Sequence, residues 1–191
     1  MAKLIGSAPN QISTNGDLGK MAFEDKVSVA NINATGTKDA TTFLRGDNTF
    51  AVPTDNGKVL QVVSSDSAVN RTTTSTSFVG SGVSVSITPS SASNKILIMC
   101  NTGSMDFFGT ASTITVALYK NAAELKKFSA VSFGGGEVGS RSLVYLDSPA
   151  TTSSISYEIY FKSGNASQTA YLNEGGDGVV SIVAMEIAGW L

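Results

Sequence analysis

Five carboxylates are the side chains in this sequence best suited to bond-making chemistry: Asp106, Glu137, Asp147, Glu174 and Asp177, all in predicted loops or at strand ends. Two carboxylates facing one substrate can hydrolyse a glycosidic bond as acid and base. The chain contains no histidine. That removes the commonest general base, the usual Ser-His nucleophile pairs and the usual zinc sites. Gly134-Gly135-Gly136 has no Gly-Lys-Ser/Thr after it and no helix to receive a phosphate, so it is read as a surface loop. Cys100, the single cysteine, sits within Ile96-Leu97-Ile98-Met99-Cys100, where a buried, inert thiol is expected and an intrachain disulfide is impossible. Asn173-Glu174-Gly175-Gly176-Asp177-Gly178 offers oxygen atoms but lacks the regular ligand spacing of a calcium loop. No enzymatic activity, cofactor or metal is expected.

Binding chemistry has more support. Met105-Asp106-Phe107-Phe108-Gly109, the stretch 133–140 with Glu137, and the stretch 165–178 with Tyr171, Asn173 and Asp177 mix aromatic rings with glycine, amides and acids. An aromatic face covers the apolar face of a sugar, while amides and carboxylates bind its hydroxyls. Asp106, Phe107, Phe108, Glu137, Tyr171, Asn173 and Asp177 are therefore the candidate receptor or glycan contacts. Packing of Phe107 and Phe108 between subunits stands beside that reading, and Trp190 serves equally well as a packing anchor. Arg45-Gly46-Asp47 spells an integrin-binding tripeptide but is read as a turn. The opening Met1 to Pro9 lacks the apolar core of a signal peptide, so the three Asn-x-Ser/Thr patterns at Asn33, Asn70 and Asn165 are expected to be unused.

The elements that must position these residues announce themselves by period-two alternation. Val83, Val85 and Ile87 alternate with Ser84, Ser86 and Thr88, which predicts a half-buried strand. Ile114, Val116 and Leu118 follow the same rule, as do Ile155, Tyr157, Ile159 and Phe161. Lys95 to Cys100, Leu143 to Leu146 and Val179 to Ile187 are apolar on both faces, the pattern of strands covered on two sides, inside a sandwich or at a subunit contact. Lys120-Asn121-Ala122-Ala123 is preferred as a hairpin turn between β-like flanks, with a short helix over Asn121 to Lys127 as the alternative. Eight or nine short strands over about 130 residues match an antiparallel jelly-roll sandwich.

The texture changes near Pro53. Before it, Leu18, Met21, Phe23, Val27, Val29, Ile32, Phe43, Leu44, Phe50 and Val52 are too sparse to build a core in one chain. Disorder is one account of this stretch. Burial between neighbouring copies is the other, and the spacing of the three Phe residues favours it. The sequence is thus read as an all-β protein with an extended N-terminal arm, residues 1–57, and a jelly-roll-like β-sandwich head, residues 58–191, assembled as a homotrimer. Thirteen basic against fifteen acidic residues, with the basic ones scattered, give little basis for binding nucleic acid. No apolar run approaches the ~18 residues of a membrane helix, so no membrane insertion is expected.

Several segments carry a resemblance. Asn15-Gly16-Asp17-Leu18-Gly19-Lys20-Met21-Ala22-Phe23, Ala34-Thr35-Gly36-Thr37 and Thr41 to Phe50 resemble motifs of bacteriophage fibre and related virion appendage proteins. In the head, Arg71 to Phe78, Ser84 to Pro89 leading into Asn94-Lys95-Ile96-Leu97, and Ala184 to Gly189 resemble a domain of the same family, often from phages of marine bacteria. Where that family usually turns through Asn-Gly, this chain has Asn121-Ala122. The resemblance implies a trimeric structural protein of the virion, made in the host cytoplasm. Its arm would attach to a tail, collar or capsid protein, with Leu4, Ile5, Leu18, Met21 and Phe23 as attachment candidates. Its head would face solvent and a bacterial surface glycan or protein, or else decorate the capsid.

Overall fold

Alternating apolar and hydroxyl residues become strands in the computed structural model, which describes residues 34–53, 57–108, 112–133, 139–176 and 178–189. By its internal contacts the chain divides into two units, Met1–Thr54 and Asp55–Leu191. In the second unit the strands are β3 (Val59–Ser67), β4 (Arg71–Thr73), β5 (Val79–Ile87), β6 (Lys95–Asn101), β7 (Met105–Phe108), β8 (Ser112–Lys120), β9 (Ala123–Phe133), β10 (Ser142–Asp147), β11 (Ile155–Ser163), β12 (Thr169–Leu172) and β13 (Val180–Ile187). The only helical element among the described residues is a 3-10 turn, Glu174–Gly176. No helix there is long and apolar enough to cross a membrane.

Two four-stranded sheets, β10-β6-β13-β3 and β5-β11-β8-β9, hold the eight principal strands, and every pairing is antiparallel. Ranked by position in the chain, the first of the eight pairs with the last, the second with the seventh, the third with the sixth and the fourth with the fifth. Such nesting of one long hairpin into two sheets is jelly-roll topology, so the expected fold class is observed. The remaining strands form a third sheet, β4-β12-β7.

Side chains from all three sheets fill one core. Val83, Val85 and Ile87 of β5, Ile114, Val116 and Leu118 of β8, and Ile155, Tyr157, Ile159 and Phe161 of β11 face inward, each at most 5% exposed. Ile96, Ile98 and Cys100 of β6 and Ile182 and Ala184 of β13 meet them from the opposite sheet, and Met105, Ala170 and Leu172 close one end. Burial pushes the Cys100 thiol up to about 12, so it stays protonated and unreactive.

Local geometry explains the joints. Residues 120–123 form the preferred hairpin, with Asn121 (φ 50°) and Ala122 (φ 63°) both left-handed, as a type I′ turn requires. Asn121 also ties the turn to β11: its N–H donates to Ser156 O (2.9 Å) and its Oδ1 accepts from Ser156 N (2.9 Å). In β5, Gly82 (φ 73°) marks a bulge where the register against β11 shifts, and its N–H donates to Glu158 Oε1 (3.0 Å).

Two carboxylates are buried at the margins of the core. Asp147 Oδ2 accepts from Lys120 Nζ (2.7 Å) and Tyr157 Oη (2.6 Å), joining β10 to β8 and β11 across the sandwich. Burial, and then the hydrogen bond to Asp147, raise the Tyr157 phenol above its usual range. Glu186, 1% exposed, is held by uncharged donors. It accepts from Ser90 N (2.6 Å), Ser90 Oγ (2.8 Å), Asn94 Nδ2 (2.5 Å) and Gln61 Nε2 (2.6 Å). Burial alone would push this carboxyl up; the bonds from Asn94, Gln61 and Ser90 overcome it and hold the pKa at about 2.

In the first unit, β1 (Phe43–Leu44) pairs with β2 (Phe50–Ala51), and Arg45-Gly46-Asp47-Asn48 is the turn between them. Arg45 N–H donates to Thr49 O (2.8 Å) and Asn48 N–H to Arg45 O (3.0 Å). Asp47 Oδ1 accepts from Thr49 Oγ1 (2.6 Å). The tripeptide is therefore part of a turn whose acidic member is engaged internally.

Candidate functional site

Residues singled out as receptor contacts come together on β7 and β12 of the β4-β12-β7 sheet. Asp106 lies directly opposite Tyr171, Phe107 opposite Ala170 and Phe108 opposite Thr169, so two stretches more than sixty residues apart form one strip. Asn173 follows β12 in a left-handed conformation (φ 57°) and is fully buried. Its amide is used at both ends: Nδ2 donates to Ala68 O (2.6 Å) and Oδ1 accepts from Gly178 N (3.0 Å). Gly103 and Gly178 cradle it, and a Cβ at either would crowd Asn173 Oδ1. Asp106 is 8% exposed. Glu174 stands beside it, and burial, then a hydrogen bond and repulsion from Asp106, push the Glu174 carboxyl up. Tyr171 is half-buried. Glu137, Asp177, Trp190, Leu4, Ile5, Leu18, Met21 and Phe23 lie outside the described residues. Among those described, no group of three or more histidine, cysteine, aspartate or glutamate side chains converges to hold a metal.

More extensive surfaces lie on the outer faces of the two large sheets. On β5-β11-β8-β9, Tyr160 stacks on Tyr119 with centroids 3.9 Å apart and planes 13° from parallel, and Phe78 tilts against Tyr119 at 5.7 Å. Lys162 Nζ and Lys127 Nζ stand 5.1 and 5.9 Å from the Phe78 centroid, within cation–π range. Ala117, opposite Tyr160 in register, is completely covered on this side. Glu124 and Glu158, both opposite Tyr119 in register, complete a charged, aromatic face.

The outer face of β10-β6-β13-β3 is different in kind. Register aligns Leu146, Leu97, Met185 and Val62 in one row across four strands, and Val144, Met99, Val183 and Ser64 in the next. Val144 is 66% exposed, and Leu146 and Val62 are each 54% exposed. Lys95 stands at one end of the rows; at the other, Ser142, Asn101, Ser181 and Asp66 form a polar row. The strands read as apolar on both faces thus lie side by side, one face in the core and the other open. Sequence reasoning noted the double-faced runs but did not place them in one sheet; their common register was the missing information.

In the first unit, Phe43 (62%), Leu44 (47%) and Val52 (60%) are exposed. Phe43 and Val52 line a pocket of about 370 Å³ with Arg45, Ala51 and Pro53.

No family model matches this chain, and no curated protein matches it. Among solved structures it is similar to one titled as the structure of the Gx strain of infectious bursal disease virus, at TM-score 0.38 and 11% identity over 74% of this chain and 34% of that one. It is also similar to a mutant VP2 protein of the same virus in derived T=1 particles, at TM-score 0.31 and 10% identity over 73% of this chain and 42% of that one. The chain spans about a third of the length of the first and about two fifths of the second.

Proposed function

We propose that this chain is a non-catalytic structural protein of a bacteriophage virion: a short homotrimeric fibre, attached through its N-terminal arm, whose jelly-roll head meets the host surface. The observation that carries the reading is the pairing of a complete jelly-roll head with a preceding unit whose apolar residues Phe43, Leu44 and Val52 are exposed. A unit with apolar side chains left in solvent is suited to burial against something else. The resemblance of Asn15 to Phe23 and Thr41 to Phe50 to fibre motifs names that something as another virion protein. The strip formed by Asp106 and Tyr171, with Phe107 and Phe108 on the same strand, is where a bacterial glycan or protein would be met.

Imaging intact particles labelled with antibody against the head tests this. Label confined to the tail end supports the host-recognition fibre. Label spread over the capsid replaces it with a decoration or head-fibre role, and particles that carry none of the protein overturn the virion assignment.

A further inference from the structure

We propose that the aliphatic outer face of the β10-β6-β13-β3 sheet is the surface through which copies of this chain pack together. The inference rests on the homo-oligomeric part of the reading above and adds the face that does the packing.

The observation is the register map. Two consecutive rows across all four strands hold seven aliphatic side chains and one serine, and the charged neighbours Lys95 and Asp66 lie beyond the rows at opposite ends. An apolar centre with a polar rim is the anatomy of a subunit interface. Water is a poor partner for such a centre, since monomeric proteins rarely expose contiguous apolar patches above a few hundred Å².

Size and charge together choose the occupant. A standard interface takes about 800 Å² from each partner, and homomeric ones are about 65% apolar, so roughly 500 Å² of apolar surface is needed. Several aliphatic side chains that each withdraw some tens of Å² approach that figure, with Val59 and Leu60 extending the patch beside Ile187. The partner surface must itself be extended and uncharged. The opposite outer face of the same head is not, because Lys127, Lys162 and Glu158 would be stripped of water there without designed partners. The same aliphatic face on another copy meets the requirement. Three copies of the face turned toward a common threefold axis would then give β6 and β13 the second cover that their sequence pattern calls for.

The test is the association state of the full chain, by sedimentation equilibrium over a concentration series, for wild type and for Leu146→Glu and Val62→Glu. These residues lie on opposite edge strands and are already more than half exposed, and far-UV circular dichroism separates dissociation from unfolding. Wild type is expected to be a trimer. Each glutamate is expected to raise the concentration needed for assembly by roughly 10²–10³-fold, as an unpaired buried charge does, while Lys127→Glu on the other face leaves assembly unchanged. Folded variants that assemble like wild type would overturn the face and leave the trimer standing. A monomeric wild type would overturn both. A wild-type dimer dispersed by both variants would support the face and overturn the threefold part.

Discussion

Seen from outside, the two sheets of the sandwich end in opposite ways. On β5-β11-β8-β9 the chain provides its own cover: Tyr160 stacks on Tyr119, Phe78 leans on that pair, and Lys127 and Lys162 hold their ammonium groups near the Phe78 ring. On β10-β6-β13-β3 nothing comparable among the described residues is drawn across Leu146, Val144 and Val62, which are more than half exposed. Both sheets obey the same alternation and share one core. Alternation therefore tells which side of a strand faces inward, and the chemistry of the outward residues tells whether that side is finished within the chain.

The largest effect is expected at a group that anchors the aliphatic sheet at its margin. Glu186→Gln replaces an ionised acceptor of four hydrogen bonds by an amide that cannot accept them all. The carboxyl is depressed from 4.5 to about 2 in the folded protein, which corresponds to roughly 3 kcal/mol. A depressed carboxyl stabilises the fold above its unfolded pKa and loses that contribution as pH falls toward the folded value. Urea melts should show the variant less stable by about 2–3 kcal/mol at pH 7, with the gap from wild type closing between about pH 4.5 and 2. A gap that does not change with pH would mean that the ionised state is not what holds this margin.

Smaller effects sharpen the contrast between the faces. Tyr160→Ala should cost about 1–2 kcal/mol through loss of the stack and its cover over Ala117. Leu146→Ser, measured by denaturant melts at concentrations where the chain is dissociated, should change stability by no more than about 0.5 kcal/mol. Equal costs would erase the distinction. Smallest of all, Ala122→Gly relieves a left-handed alanine in the turn that joins β8 to β9 and should raise stability by about 0.5–1 kcal/mol, read as a higher melting temperature.

Much of the sandwich was legible because its strands are long enough to show a period. Val83, Val85 and Ile87, or Ile155 to Phe161, declare a buried face without help from the rest of the chain. β4, β7 and β12 are three or four residues long, too short for alternation to register, and they assemble only because their neighbours bring them together. Phe78, Tyr119 and Tyr160 gave no local sign of a cluster, since cross-strand register alone unites them. Asn173 illustrates the opposite difficulty. Its type suggested a ligand contact, whereas a left-handed backbone and two flanking glycines turn its amide toward Ala68 and Gly178. The capture of Glu186 by Gln61, Ser90 and Asn94 spans more than a hundred residues of chain and has no signature in the sequence.

At one corner of the head, Gly57 N–H donates to Ala188 O (3.1 Å) and Ala188 N–H to Lys58 O (2.9 Å), so the peptide leading into β3 lies against the peptide leaving β13. Incoming and outgoing chain are thereby neighbours, as in a cassette held by a single clip. A domain with adjacent ends can be spliced into a loop of another protein without stretching its host. The first and last strands of the sandwich, by pairing with each other, make it a portable unit.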